Sequence, residues 1–337
     1  MLHALMGVSL LLWGQSVCIY PREGQVVGWM IYHPLERGRG EAIARSIAEA
    51  LFADSILQEV AYVHSVRYRF ERRGPWFCIE GEATPEGLYA FFGALDGAVQ
   101  RFPARLARVR RSVGQESDPF RWAYRRVYED TAEVGLSPLQ VSQAFFRYWR
   151  EGGLRCMLWG RVPPPLIRVA RQLVPEGQLA LYVPPELPSA LHQPPRQGPG
   201  IVYVRWRVST ERSLLTMGAL WLQAQELLRY LCQEKGVACQ ARWVPLPTGL
   251  ELWIETGLPV AAEAAAKEFL DRPLRVPSGG GNAFFTWLYE AQSAPLAAWW
   301  ACVWGLPALP GKPTPFPAKE VRRVLRRTPY TLFAVGL

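Results

Sequence analysis

Apolar positions along this chain recur with two periods. Runs of continuous or alternating apolar residues, bounded by Gly, Pro and Asp, mark strands, and stretches with a spacing of three and four mark helices. Ser16–Pro21 and Val26–His33 are strand-like runs separated by Pro21-Arg22-Glu23-Gly24, which predicts a hairpin. Glu41–Ala53 places Ile43, Ile47, Ala50 and Leu51 along one side, the stripe of an amphipathic helix. Tyr62–Phe70 and Trp76–Glu82 follow as strands, Thr84-Pro85-Glu86 opens a helix with proline at its first position, and Phe102–Tyr128 reads as a long arginine-rich helical region. After Ile201–Val208 the order resumes: a helix from Leu214 to Glu234 ending near Gly236, strands at Arg242–Val244 and Leu250–Glu255, and an apolar helical stretch at Ala297–Leu306.

Two pairs of segments share one grammar. Trp76–Val99 and Leu250–Leu274 each run strand, turn, helix, with acidic residues closing the strand. Leu136–Val162 starts at Ser137-Pro138, continues through a helix and ends in the strand Leu154–Trp159 stopped by Gly160. From Phe316 onward Pro317 leads into a helix, and Tyr330–Val335 stops at Gly336. Proline at a helix start gives up an amide that would have no partner there, and glycine after a buried strand permits a sharp exit. The prediction is an α+β chain of two homologous α/β-sandwich halves, each a mixed or antiparallel sheet with helices on one face. The halves are placed at 17–182 and 201–337, the second shortened. The Pro-rich stretch 183–200 cannot sustain a helix or central strand and reads as a semi-rigid linker.

Length and composition agree with two globular units. The chain has 337 residues, 50% hydrophobic and 20% charged, enough for each half to bury a core. The net charge of +9 rests on arginine, because only four lysines are present. Its densest groups, Arg108/Arg110/Arg111 and Arg322/Arg323/Arg326/Arg327, fall on helices, where a solvated face explains them; nucleic acid is not expected as a partner. Residues 1–16 form a candidate signal peptide with an apolar core and small residues at Gly14 and Ser16, though no Lys or Arg precedes that core; the alternative is a buried first strand. A periplasmic or extracellular location is the expectation if the segment is cleaved, and a cytoplasmic one otherwise. No segment predicts a membrane span. The six cysteines form no C-x-x-C pair and read as small hydrophobes, with Cys232 and Cys239 the only two close enough in sequence to suggest a disulfide. Trp299, Trp300 and Trp304 read as packing residues, and Ser278–Asn282 as a flexible connection.

This organisation resembles the insulinase or pitrilysin-like metallopeptidase family, including its processing-peptidase relatives. There an early strand pair and a Gly- and Glu-containing turn precede a helix bearing H-x-x-E-H; here Gly38-Arg39-Gly40-Glu41 precedes Ser46-Ile47-Ala48-Glu49-Ala50. Two histidines four apart on a helix offer two imidazoles to one zinc, a later glutamate completes the ligands, and the intervening glutamate activates the bound water. The resemblance therefore places Ser46 and Ala50 at the two imidazole positions, Glu49 at that of the base, and Glu116 nearest to the third ligand. A hydroxyl is a poor zinc ligand and a methyl is none. The run Leu231–Cys239 resembles a family segment whose Arg and Tyr hold the substrate carbonyl, with Cys232 and Cys239 at those positions; neither thiol offers the guanidinium fork or the phenolic donor.

What the resemblance implies is a protein not catalytic on its own, with no bound cofactor or metal. It would pair with an active insulinase-like peptidase or a second copy of itself, or hold peptides in a clamp-like chamber. The alternative is a divergent zinc metalloendopeptidase with an unaligned site drawn from His33 or His64 with Glu49 or Glu116. His33 begins a partial copy of H-x-x-E-H, but Pro34, Gly38 and Gly40 predict a turn there. A weaker third idea is an anionic-surface binder using Arg322–Arg327.

Overall fold

The computed structural model describes residues 16–35, 40–106, 118–128, 136–150, 154–174, 198–208, 212–237, 240–273, 280–290, 294–306 and 316–336. Two sheets organise them. The first contains β1 (Val17–Pro21), β2 (Val27–Pro34), β3 (Arg67–Arg73), β4 (Trp76–Ala83) and β5 (Arg155–Gly160) in the order β1-β5-β2-β4-β3. The second contains β6 (Gly200–Arg207), β7 (Gln240–Leu246), β8 (Gly249–Thr256) and β9 (Tyr330–Gly336) in the order β7-β8-β6-β9. Set β1 aside and the two orders correspond strand for strand, β3-β4-β2-β5 against β7-β8-β6-β9, with all of these neighbours antiparallel. The two halves share one α+β plan.

Between the strands lie α1 (Gly40–Phe52), α2 (Ser55–Val63), α3 (Pro85–Leu106), α4 (Pro119–Val127), α5 (Pro138–Arg150) and α6 (Pro164–Leu173), then α7 (Leu214–Arg229), α8 (Pro259–Leu270), α9 (Gly280–Tyr289), α10 (Ala294–Val303) and α11 (Ala318–Arg326). Both repeated segments take equivalent places. β4 leads into α3 through Pro85 and β8 into α8 through Pro259, while α5 precedes β5 and α11 precedes β9. Gly160 has φ +122, and a Cβ there would fall 2.7 Å from the Val26 carbonyl oxygen, so this exit tolerates only glycine.

Each sheet has its own helices on one face. In the first half Val27, Trp29 and Ile31 of β2 join a core with Ile43, Ile47, Phe91, Phe92 and Phe145. Alternate residues Met30 and Tyr32 point the other way, into a second core shared with the other half. That opposite face is covered by exchange: α10 of the second half packs on β2 and β5, and α4 of the first half packs on β6 and β8. Hence β2 and β5 are buried along their whole length. Among the described residues, much of the space between the halves is a packed interior.

Four local expectations change. The predicted hairpin of the first two strands is absent, because β5 inserts between them and pairs parallel with β1 and antiparallel with β2; an apolar strand far along the chain outcompetes a tight turn. Tyr62 and Val63 belong to α2 and not to a strand: the buried Asp54 carboxylate accepts the Leu57 amide at 2.9 Å and starts a helix, and Ser65 at φ +51 turns the chain into β3. His33 and Pro34 finish β2 and lie in no turn. The cysteine pairing is Cys18–Cys302, joining β1 to α10 across the halves. Residues 1–15 of the candidate signal peptide, and the linker up to residue 197, lie outside the described residues.

Candidate functional site

Helix α1 packs against α3 and α5 through Ile43, Ile47, Ala50 and Leu51. Burying that stripe fixes its remaining positions. Ser46 is half-buried and its hydroxyl donates to the Ala42 carbonyl at 2.9 Å, one turn back in the same helix. Ala50 is buried in the core and Glu49 is half-buried. The helix thus carries at Ser46 a hydroxyl bonded within its own turn and at Ala50 a methyl packed in the core. Glu116 and Cys239 lie outside the described residues, as do His3 and His192.

The two described histidines are far from one another in setting. His33 is buried beside Ile47, Phe77, Phe145 and Trp149. Burial drives its pKa down to about 3, and the nearby Arg155 pushes the same way, so the ring is a neutral base at ordinary pH. His64 is exposed at the C-terminal cap of α2. Among the described residues no three His, Cys, Asp or Glu side chains are arranged to hold a metal ion. Cys232 is a half-buried free thiol on the single π-turn Tyr230–Glu234 that follows α7.

The polar chemistry lies instead where α4 meets the second sheet. Glu251 of β8 is wholly buried; it accepts the Tyr128 and Tyr203 hydroxyls at 2.6 Å and the Trp253 indole N–H at 3.1 Å. Its strand neighbour in register is Arg205, also buried. Burial raises the Glu251 pKa, against the lowering by Arg205 and by the three donors. The Arg72 guanidinium lies 5.9 Å from the Tyr124 ring and 5.8 Å from the Tyr128 ring. Around this knot Arg242 of β7 bonds Asp118 at 3.0 Å, and the Trp76 indole donates to the Pro245 carbonyl at 2.9 Å. Sequence reading passed over these groups, yet a signal existed: Glu251, Arg205 and Arg155 each interrupt an otherwise apolar strand.

One surface stands open beside this interior. A cleft of about 410 Å³ is bounded by Arg67, Arg69 and Glu80 of β3 and β4, by Trp159 of β5, and by Pro295 and Leu296 at the start of α10. Arg69 and Arg73 converge on Glu80, Arg73 at 2.7 Å, while Arg67 makes no ion pair among the described residues. β3 is the edge strand here, and its outer backbone edge pairs with no described strand.

This architecture has known counterparts. It resembles a peptidase M16 inactive domain from Pseudomonas fluorescens, with a TM-score of 0.58 at 12% identity over 95% of each chain. It also resembles a protease from Helicobacter pylori, with a TM-score of 0.58 at 11% identity over 97% of this chain and 98% of that one. A chain of Complex III2 from Candida albicans gives a TM-score of 0.60 at 8% identity, over 95% and 93%. No protein-family model matches the sequence, and no curated protein sequence does. The fold is that of the M16 peptidases, the insulinase-like fold. An inactive domain and a protease are matched equally well, so the fold alone does not decide activity.

Proposed function

We propose that this chain is a non-catalytic subunit of the insulinase-like type, which pairs with an active zinc peptidase or a second copy of itself and holds peptides in the chamber so formed. The observation that carries the reading is α1: at the metal-binding positions implied by the resemblance, Ser46 spends its hydroxyl on the Ala42 carbonyl and Ala50 is a buried methyl. Likeness to an M16 inactive domain supports it. Where α4 and α10 pack across the halves the described interior is filled, and a chamber completed by another chain would build on the open cleft beside β3. The unpaired edge of β3 beside the open cleft is suited to adding an extended peptide as a further strand.

The test combines metal analysis of the purified chain with co-purification from a host expressing a histidine-complete M16 peptidase. Substoichiometric zinc and a stable complex with that peptidase are expected. Near-stoichiometric zinc together with chelator-sensitive cleavage of polypeptides by the isolated chain would overturn the reading in favour of a divergent metallopeptidase. Against that rival stands the placement of His33, neutral in an apolar pocket, and of His64, exposed on another element.

Export is part of the proposal. A disulfide that ties β1 to α10 suits an oxidising compartment, in keeping with the candidate signal peptide. Recovery of the chain from a periplasmic or culture fraction with Cys18 and Cys302 protected from alkylation supports it; free thiols at both positions in native material would refute it. Among the described residues no helix is long and apolar enough to cross a membrane.

A further inference from the structure

The second half carries a cavity of about 210 Å³ for which peptide holding has no use. Three helices build it. Gln223 comes from α7, Leu270 and the adjoining Asp271 and Arg272 from the end of α8, and Arg322, Leu325 and Arg326 from α11. Arg322 and Arg326 are four apart and share a helix face. The Arg322 Nε donates to the Ala318 carbonyl at 3.2 Å, which leaves both terminal amino groups to the cavity. Neither arginine makes an ion pair among the described residues. Arg272 is paired with Glu268, and the Asp271 carboxylate accepts the Tyr330 hydroxyl and keeps its charge, so the lining carries two cations without an ion pair against one carboxylate.

Gln223 supplies the independent observation. It is only 9% exposed, lines the cavity, and its amide makes no hydrogen bond to a described residue. Its N–H donors are open to whatever occupies the cavity. Two guanidinium forks and one amide donor around a pocket with Leu270 and Leu325 on its wall match an oxyanion with several acceptor oxygens. We infer that this cavity binds a phosphate-type oxyanion, with Arg322 and Arg326 neutralising it and Gln223 donating to one of its oxygens. Free phosphate and the headgroup of an anionic lipid share that chemistry.

Calorimetric titration of the full chain with inorganic phosphate at low ionic strength, run beside flotation with phosphatidylcholine vesicles with and without phosphatidylglycerol, separates the two sources. Saturable phosphate binding, or phosphatidylglycerol-dependent flotation, is expected, weakened at least about tenfold in Arg322→Gln/Arg326→Gln, as loss of charge-assisted hydrogen bonds demands. Both replaced side chains are exposed, so that variant keeps the fold, and its Tm without phosphate checks this. Gln223→Leu is expected to weaken binding while both arginines remain. The inference is overturned if neither probe binds, if the double variant binds like the wild type, or if a folded Gln223→Leu protein does, since a diffuse basic surface would suffice.

Discussion

The two exchanged helices are fastened by opposite chemistry. α10 sits on the first sheet through apolar and covalent contacts: Trp299 meets Tyr32 and Trp76 at ring distances of 6.2 and 6.4 Å, and Cys302 is bonded to Cys18. α4 sits on the second sheet through rings that carry polar ends, with Tyr124 edge-on to Trp253 at 4.6 Å and Tyr128 bonded to Glu251. The first attachment, with the Arg73 guanidinium over Trp299 as a charged contact, is sensitive to reductant and to lost volume. The second is insensitive to reductant and sensitive to protonation. One plan, duplicated, thus yields a dry seam and a polar seam at equivalent places.

The largest blow to the dry seam is Trp299→Ala. The ring is wholly buried, and removing an aromatic side chain of this size from a core costs about 3–5 kcal/mol. Denaturant unfolding should show that loss; a change under about 1 kcal/mol would mean that α10 is not anchored by its indole. Next comes the disulfide. Cys18→Ser/Cys302→Ser is expected to cost about 2–4 kcal/mol, and reductant should lower the Tm of the wild type but leave the variant unmoved. Cys78 and Cys156 will not mask the effect, since both are buried and burial raises their thiol pKa.

The polar seam is probed by Glu251→Gln, which keeps acceptor oxygen and shape while removing the charge. Because the folded pKa is raised, the native state holds its proton over a range where the unfolded chain, titrating near 4.3, has lost it. Stability from this group is therefore present below that unfolded value and declines as pH rises through the folded one. The amide variant should flatten that decline and change neutral-pH stability by about 1 kcal/mol. His33 gives the opposite slope in the first half. With its folded pKa at about 3 against about 6.5 unfolded, its contribution is complete above 6.5 and is lost as pH falls towards 3. His33→Phe should blunt acid unfolding and leave the alkaline limb alone.

Which of these features the sequence revealed follows from the range of the interaction. The repeated units were legible because proline, strand and glycine are local signals that do not depend on what packs against them, as at Pro85 and Pro259 or Gly160 and Gly336. The first hairpin was misread because its fate is decided by β5, distant in sequence, and α2 because its start depends on the Asp54 cap, held by Arg101 from α3 at 3.0 Å. Cys18 and Cys302 are 284 residues apart, beyond any spacing argument. The helix of Ser46, Glu49 and Ala50 was found through its pattern. The Glu251 knot was not, since Tyr128 comes from one half and Tyr203 from the other, and neither stretch announces the meeting.

The smallest expected effect concerns α1, which touches neither seam. Ser46→Ala removes a hydroxyl whose donated bond closes on its own helix, an arrangement that slightly disfavours helical geometry. Alanine is the better helix former, so the substitution should move stability by less than about 0.5 kcal/mol in either direction. Metal content and partner association should not change either, because a neutral serine hydroxyl beside a buried methyl is too weak a donor set to hold a divalent ion. If Ser46→Ala instead abolished binding of a divalent ion or of a peptidase partner, α1 would join the functional surfaces of the molecule. The contrast between a silent helix and two active seams would then give way to three working regions.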